Sequence, residues 1–399
     1  MVHVAIMLNS CILLFPSKLK IFPIIGFLIF SLKYSTKIIQ KKAFDYKKVT
    51  LISALFLICI ASNLIFIKND IAYNKLATMS SLLAYPLIFA ILNRSNFEFN
   101  HKEIKIIAYS FLSSTVLFCI ISFLFFWNQK YTFVETVVHY SNLINIALGN
   151  YNIHPIYLSI YVGISILMIV YLLSTIQSTF TKFFLITSGV FLLIMLIILA
   201  RKGPIIFLVM TLFFYLQRLF KIRFAVFAIC TIFLLLFFSL KFIPKYKDYN
   251  RFDDLKITLL NKDTNSSTSI RYKIYICTIE QICINPLIGY GINNVQHQLN
   301  QCYKSKNFDM TFAEYNSHNQ YISIILTAGF IGFIIFIYTV YKIFGILLAN
   351  RSEEGLSIYI FFLLNFLTEN VLEREHGVLI YSFLLSFILF YKSELKTSV

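Results

Sequence analysis

Four basic residues, at three places in the chain, are candidates for chemistry because of where they fall. His318 opens an apolar run in "NSHNQYISIILTAGFIG" (316–332), followed at once by Asn319 and further on by Gly329-x-x-Gly332. Arg201 and Lys202 make a cationic turn in "ILARKGPIIF" (198–207), and Arg271 stands in the first turn of a helical pattern, "IRYKIYICTIEQICINP" (270–286). Guanidinium forks hold phosphate oxygens, and a helix N-terminus adds a positive field to such a site. The same field, with partial desolvation, favours a neutral imidazole at His318, the form that accepts a proton. These residue types equip a site to hold an anion and to deprotonate a hydroxyl.

The elements that must position them follow from composition. Of 399 residues, 58% are hydrophobic, 17% aromatic and 13% charged, which excludes an ordinary soluble domain. The chain reads as an all-α polytopic membrane protein, a single transmembrane domain over 1–399. Stretches apolar for about 17–25 residues fall near 1–15, 19–32, 49–67, 76–92, 104–126, 155–174, 182–200, 203–217, 224–243, 319–348, 356–372 and 377–391, or about twelve transmembrane helices. Residues 1–15 lack a basic leading region and a small-residue cleavage site, which argues against a cleaved signal peptide.

Lysine and arginine orient this map. With the N-terminus inside, 17 of them, among them Lys33, Lys47, Arg94, Lys102, Arg218 and Lys342, lie in inner loops, against 8 in the short outer loops. Both termini are then cytoplasmic and the candidate residues face the outer side. The net charge of +17 is read as this topology signal and as attraction to anionic membrane lipid, with no nucleic-acid partner.

Two outer segments are long enough to carry function. Residues 127–154 hold Trp127 and lead into "NIHPIYLSIY"; residues 244–317 form a large loop between the ninth and tenth spans. Within it Ile270, Ile274, Cys277 and Ile282 recur at helical spacing, ending at Asn285-Pro286, and "LIGYGINN" reads as a tight turn. The loop's Cys277, Cys283 and Cys302 permit one disulfide and leave one thiol. No Cys-x-x-Cys spacing occurs, the histidines are scattered, and Asp253-Asp254 has no third ligand nearby, so neither a metal nor another cofactor is expected.

The motifs resemble, as an ordered set, those of the O-antigen ligase and O-antigen polymerase family of bacterial envelope glycosyltransferases. His318-Asn319 followed by Gly329-x-x-Gly332 resembles its signature; "LARKG" resembles its arginine turn; "STSIRYKIYICTIEQICINPLIGYGINN" resembles its Ser-x-Arg helix leading into Asn-Pro-x-x-Gly-x-Gly. "HPIYLSIY" is similar to its His-Pro-x-Tyr, and "NFLTENVLEREHG" to its late glutamate segment. Ala200 and Lys202 depart from the usual Ser and Gly around the arginine.

The resemblance implies an inner-membrane enzyme with a periplasmic active site, which moves a glycan from undecaprenyl pyrophosphate to a sugar hydroxyl, with inversion and without a metal. The acceptor would be lipid A-core for a ligase, the favoured reading, or another lipid-linked repeat for a polymerase. It assigns Arg201 and Arg271 to the pyrophosphate, His318 as general base, and Lys202, Asn319, Tyr290, His154 and Glu369 to substrate binding. A polysaccharide transporter, the rival reading, would carry ionisable groups at mid-membrane, whereas the charges here gather at span ends.

Overall fold

A computed structural model describes residues 1–38, 42–66, 73–129, 131–219, 267–308 and 315–391, and these contain helices and no strand. In chain order the α-helices are α1 (Val2–Ser10), α2 (Ile21–Thr36), α3 (Tyr46–Ile65), α4 (Tyr73–Met79), α5 (Ser81–Arg94), α6 (His101–Asn128), α7 (Phe133–Ile146) and α8 (Pro155–Thr175). They continue with α9 (Thr179–Leu199), α10 (Lys202–Leu219), α11 (Ser267–Ile284), α12 (Gly291–Ser305), α13 (Gln320–Ala349), α14 (Glu353–Asn365) and α15 (Glu375–Phe390).

Local chemistry sets where many of them begin. Asn100 and Glu103 form a capping box on α6, Thr132 and Glu135 another on α7, and Asp45, Ser178 and Ser352 cap α3, α9 and α14. Each such side chain accepts from a backbone N–H that the helix itself leaves unpaired.

Two helices form the centre. Along α8, 89% of the most apolar window is buried, and α15 is buried without a break from Gly377 to Phe390. Around them pack α5, α6, α9, α10 and α14, while α1, α2, α3 and α13 extend the ring. The outward faces of α9 and α13 expose Phe180, Phe183, Ile334 and Tyr338, as a lipid-facing surface requires.

Eight of the predicted spans are present as helices long and apolar enough to cross a membrane. Three further predicted spans correspond to shorter helices: α1 has 9 residues, α14 13 and α15 16. The expected span 224–243, the loop's first part up to 266 and Asp253-Asp254 lie outside the described residues.

The remainder of the long loop is an α11–α12 hairpin with its own small core of Ile274, Cys277, Leu299, Cys302 and Tyr303, closed over Leu326 of α13. Cys277 and Cys302 form the disulfide, leaving Cys283 free and exposed. The expected turn is shorter than "LIGYGINN", because Gly291 already begins α12.

That turn is wedged into a break in α13. Gly329 adopts φ +66° within the helix, and a Cβ there would collide with the backbone of Leu287. The backbone groups freed by the break are recovered from the turn: Phe330 donates to Pro286 O at 2.8 Å, and Tyr290 N to Leu326 O at 2.8 Å. Gly289, at φ +67°, admits this approach from the other side. The spaced glycines and the Asn-Pro turn are thus one crossing, which fixes α11 and α12 against α13.

Candidate active site

The histidine that opens the apolar run does not sit inside the helix. Asn319 is the N-cap of α13, its Oδ1 accepting from Ile322 N at 3.2 Å, and His318 precedes it in the left-handed region, at φ +47°. A non-glycine residue there is held by its surroundings. Asn319 Nδ2 donates to Leu367 O at 3.0 Å, Gln320 N to Phe366 O at 2.8 Å, and Ser317 Oγ to Asn370 Oδ1 at 3.3 Å. The segment 366–370, between α14 and α15, therefore clamps the imidazole's backbone on both sides.

The clamp delivers a carboxylate to the ring. His318 Nδ1 and Glu369 Oε2 are 3.6 Å apart, and Glu369 is only 5% exposed. Burial pushes the Glu369 carboxyl up, but His318, His154 and Arg271 together outweigh it and hold the group below the usual carboxylate range. His154, the N-cap of α8, accepts from Ile156 N through Nδ1 at 3.4 Å, leaving Nε2 to carry the proton. Protein crowding lowers its pKa to about 4; Glu369 opposes this, and Arg201, Arg374 and His318 reinforce it. The ring also opens to cavity solvent, which weakens the crowding.

Arg201 reaches this cluster from the turn between α9 and α10. Ala200 ends α9 in the left-handed conformation, φ 50° and ψ 38°, so the turn forms without the usual glycine. Arg201 Nη2 donates to Ser141 Oγ on α7 at 3.1 Å, and Gly203 packs against Thr368, the neighbour of Glu369. Arg271 comes from α11 and acts on Glu369 through its charge.

Five chain-distant elements thus bring His318, Glu369, His154, Arg201 and Arg271 into one electrostatic cluster. It borders a cavity of about 680 Å³ lined by Asn152, His154, Tyr315, His318, Glu369 and Arg374, among others. Tyr290 is elsewhere: its hydroxyl donates to Gln281 O at 2.8 Å beside the α13 break. Lys202 is the first residue of α10 and, like Arg201, Arg271 and Asn319, is not on the cavity lining.

Sequence reasoning passed over the run Glu373-Arg374-Glu375-His376, all four of which line the cavity. Four ionisable residues in succession at the mouth of an apolar helix were the signal. Glu373 Oε1 accepts from Gln320 Nε2 at 3.5 Å, from Asn370 Nδ2 at 3.1 Å and from Ser323 Oγ. Glu375 pairs with Lys20 Nζ at 3.3 Å, and Lys20 also reaches His376 Nε2 at 3.1 Å.

Residues 187–337 match a family model described as O-antigen ligase. The match covers Arg201, Lys202, Arg271, Tyr290, His318 and Asn319, whereas His154 and Glu369 lie outside it. It supports the O-antigen ligase and polymerase family, to which the ordered motifs pointed, and a glycosyltransferase of that general kind in a multi-pass membrane protein. No curated protein matches the chain.

Proposed function

With residues 187–337 matched to the O-antigen ligase family, we propose that this protein transfers a glycan from undecaprenyl pyrophosphate to a sugar hydroxyl, with inversion and without a metal. The acceptor is lipid A-core, and the reaction takes place at the periplasmic face of the bacterial inner membrane. The observation that carries this reading is the His318–Glu369 pair, 3.6 Å apart, facing a polar cavity within the field of two arginines.

In the transfer the acceptor oxygen attacks the anomeric carbon opposite the diphosphate. The new C–O bond forms as the bond from that carbon to the phosphate oxygen breaks, and the diphosphate leaves with the electron pair. The hydroxyl proton passes to His318 Nε2. Glu369 favours the tautomer with the proton on Nδ1, so Nε2 is free to accept, and it stabilises the imidazolium that results. Arg201 and Arg271 neutralise charge building on the diphosphate. Neutral His154 and the clamp residue Asn319 position the sugar and the base, Lys202 adds positive charge beside Arg201 for the substrate, and Tyr290 secures the α13 crossing.

The test is transfer by purified protein in detergent, with chelator present, from a labelled lipid-linked glycan to isolated lipid A-core. Product formation supports the reading; dependence on added metal or on an ion gradient overturns it. A polymerase, the alternative, would instead lengthen lipid-linked repeats. Deletion strains separate the two, since a ligase deletion leaves full-length chains on the carrier and a polymerase deletion leaves single repeats on core.

A further inference from the structure

Arg374 has the position of a substrate contact but no role in the site so far. It lines the cavity with an exposed side chain, and no ion pair to it occurs among the described residues. Both flanking glutamates are engaged elsewhere: Glu373 with Gln320, Asn370 and Ser323, and Glu375 with Lys20. Neither glutamate beside it in sequence takes the guanidinium as its ion-pair partner.

Its backbone makes the arrangement more pointed. Arg374 is the N-cap of α15, its carbonyl accepting from Val378 N at 3.0 Å. A cation at the positive end of a helix is unfavourable unless an anion offsets both. Arg374 and Arg201 both act on His154, which puts the two guanidinium charges on the same cluster. Unlike Arg201, which is held by Ser141 behind the lining, Arg374 opens directly into the 680 Å³ space.

We infer that Arg374 binds a phosphate oxyanion of the substrate inside the cavity, adding a lining guanidinium to the charges of Arg201 and Arg271 in the cluster beside it. The inference rests on the transferase reading. Two sources present this chemistry: the diphosphate of a polyprenyl donor and a phosphate carried by the acceptor sugar. In either case the planar fork donates two parallel N–H bonds to one phosphate group, which a lysine cannot reproduce.

The experiment measures binding of undecaprenyl pyrophosphate, and separately of glucose 6-phosphate, to detergent-purified wild type, Arg374→Gln, Arg374→Lys and Arg201→Gln. Thermal unfolding serves as the folding control, and because Arg374 is exposed the variants should unfold as wild type does. Arg374→Gln is expected to weaken the diphosphate by about tenfold or more, with Arg374→Lys falling between. Weakening confined to glucose 6-phosphate would place the phosphate on the acceptor and uphold the inference. If only Arg201→Gln weakens binding, the inference fails while the transferase reading stands. If wild type binds neither probe, both are overturned.

Discussion

The two ends of the helix bundle treat charge differently. At the end away from the cavity, ionisable groups are closed into pairs: His3 with Glu103 at 2.8 Å, Arg218 with Glu353 at 3.0 Å and Lys48 with Asp45 at 3.5 Å. His101 there lies within 3.3 Å of two tyrosine hydroxyls, those of Tyr171 and Tyr391. At the cavity end Lys20 is likewise paired with Glu375 at 3.3 Å, but His318 and Glu369 stand 3.6 Å apart and Arg374 faces the open space. Paired charges complete a structure, whereas charges held near one another without full pairing are poised for a ligand.

This contrast can be broken by substitution. The largest expected effect is that of His318→Ala, which should cut glycan transfer by about 10²–10⁴-fold while lipid-linked donor still binds. An equal loss of donor binding would mean that the imidazole holds the site together and is not its base.

Gly329→Ala comes next, because it acts on the crossing that seats α11 and Arg271. The left-handed backbone alone costs a residue with a Cβ about 1–3 kcal/mol, and the Leu287 backbone blocks the added methyl. The variant should melt at lower temperature and lose transfer together with stability. Wild-type melting would show that the crossing is not needed.

Acid pH sharpens the comparison through two groups at the cavity. The folded pKa of Glu369 lies below its unfolded value, so the stability contributed by its ionised carboxylate is present above the ordinary carboxylate pKa, about 4.3, and is lost as pH falls below it. Crowding holds the folded pKa of His154 below the ordinary histidine value of about 6.5 that the unfolded chain shows. The unfolded chain takes up that proton first, so stability also falls as pH drops from 6.5 toward 4. His154→Gln should flatten the decline of the melting temperature in this window, and Glu369→Gln the part at lower pH. An unchanged profile in both variants would contradict the placement of these groups.

The smallest effect belongs to the opposite end. Arg218→Gln removes the pair with Glu353, both partly exposed, and should cost less than about 1 kcal/mol with transfer intact. A loss of transfer comparable to that of His318→Ala would erase the distinction between the two ends.

Apolar runs, caps and positively charged loops are properties of neighbouring residues, so the helical class, eight of the spans and the α11 helix ending at Asn285-Pro286 could be read from the chain itself. The arginines and His318 were legible as candidates because a cation at a helix start is locally unfavourable. What distant residues do to one another was not legible. Only packing places Glu369 beside His318, lets a turn enter α13 at Gly329, joins Cys277 to Cys302 rather than Cys283, and turns Arg374 into the cavity while its flanking glutamates bind elsewhere. Those contacts join segments separated by whole helices, and no periodicity along one segment encodes which partner the others bring.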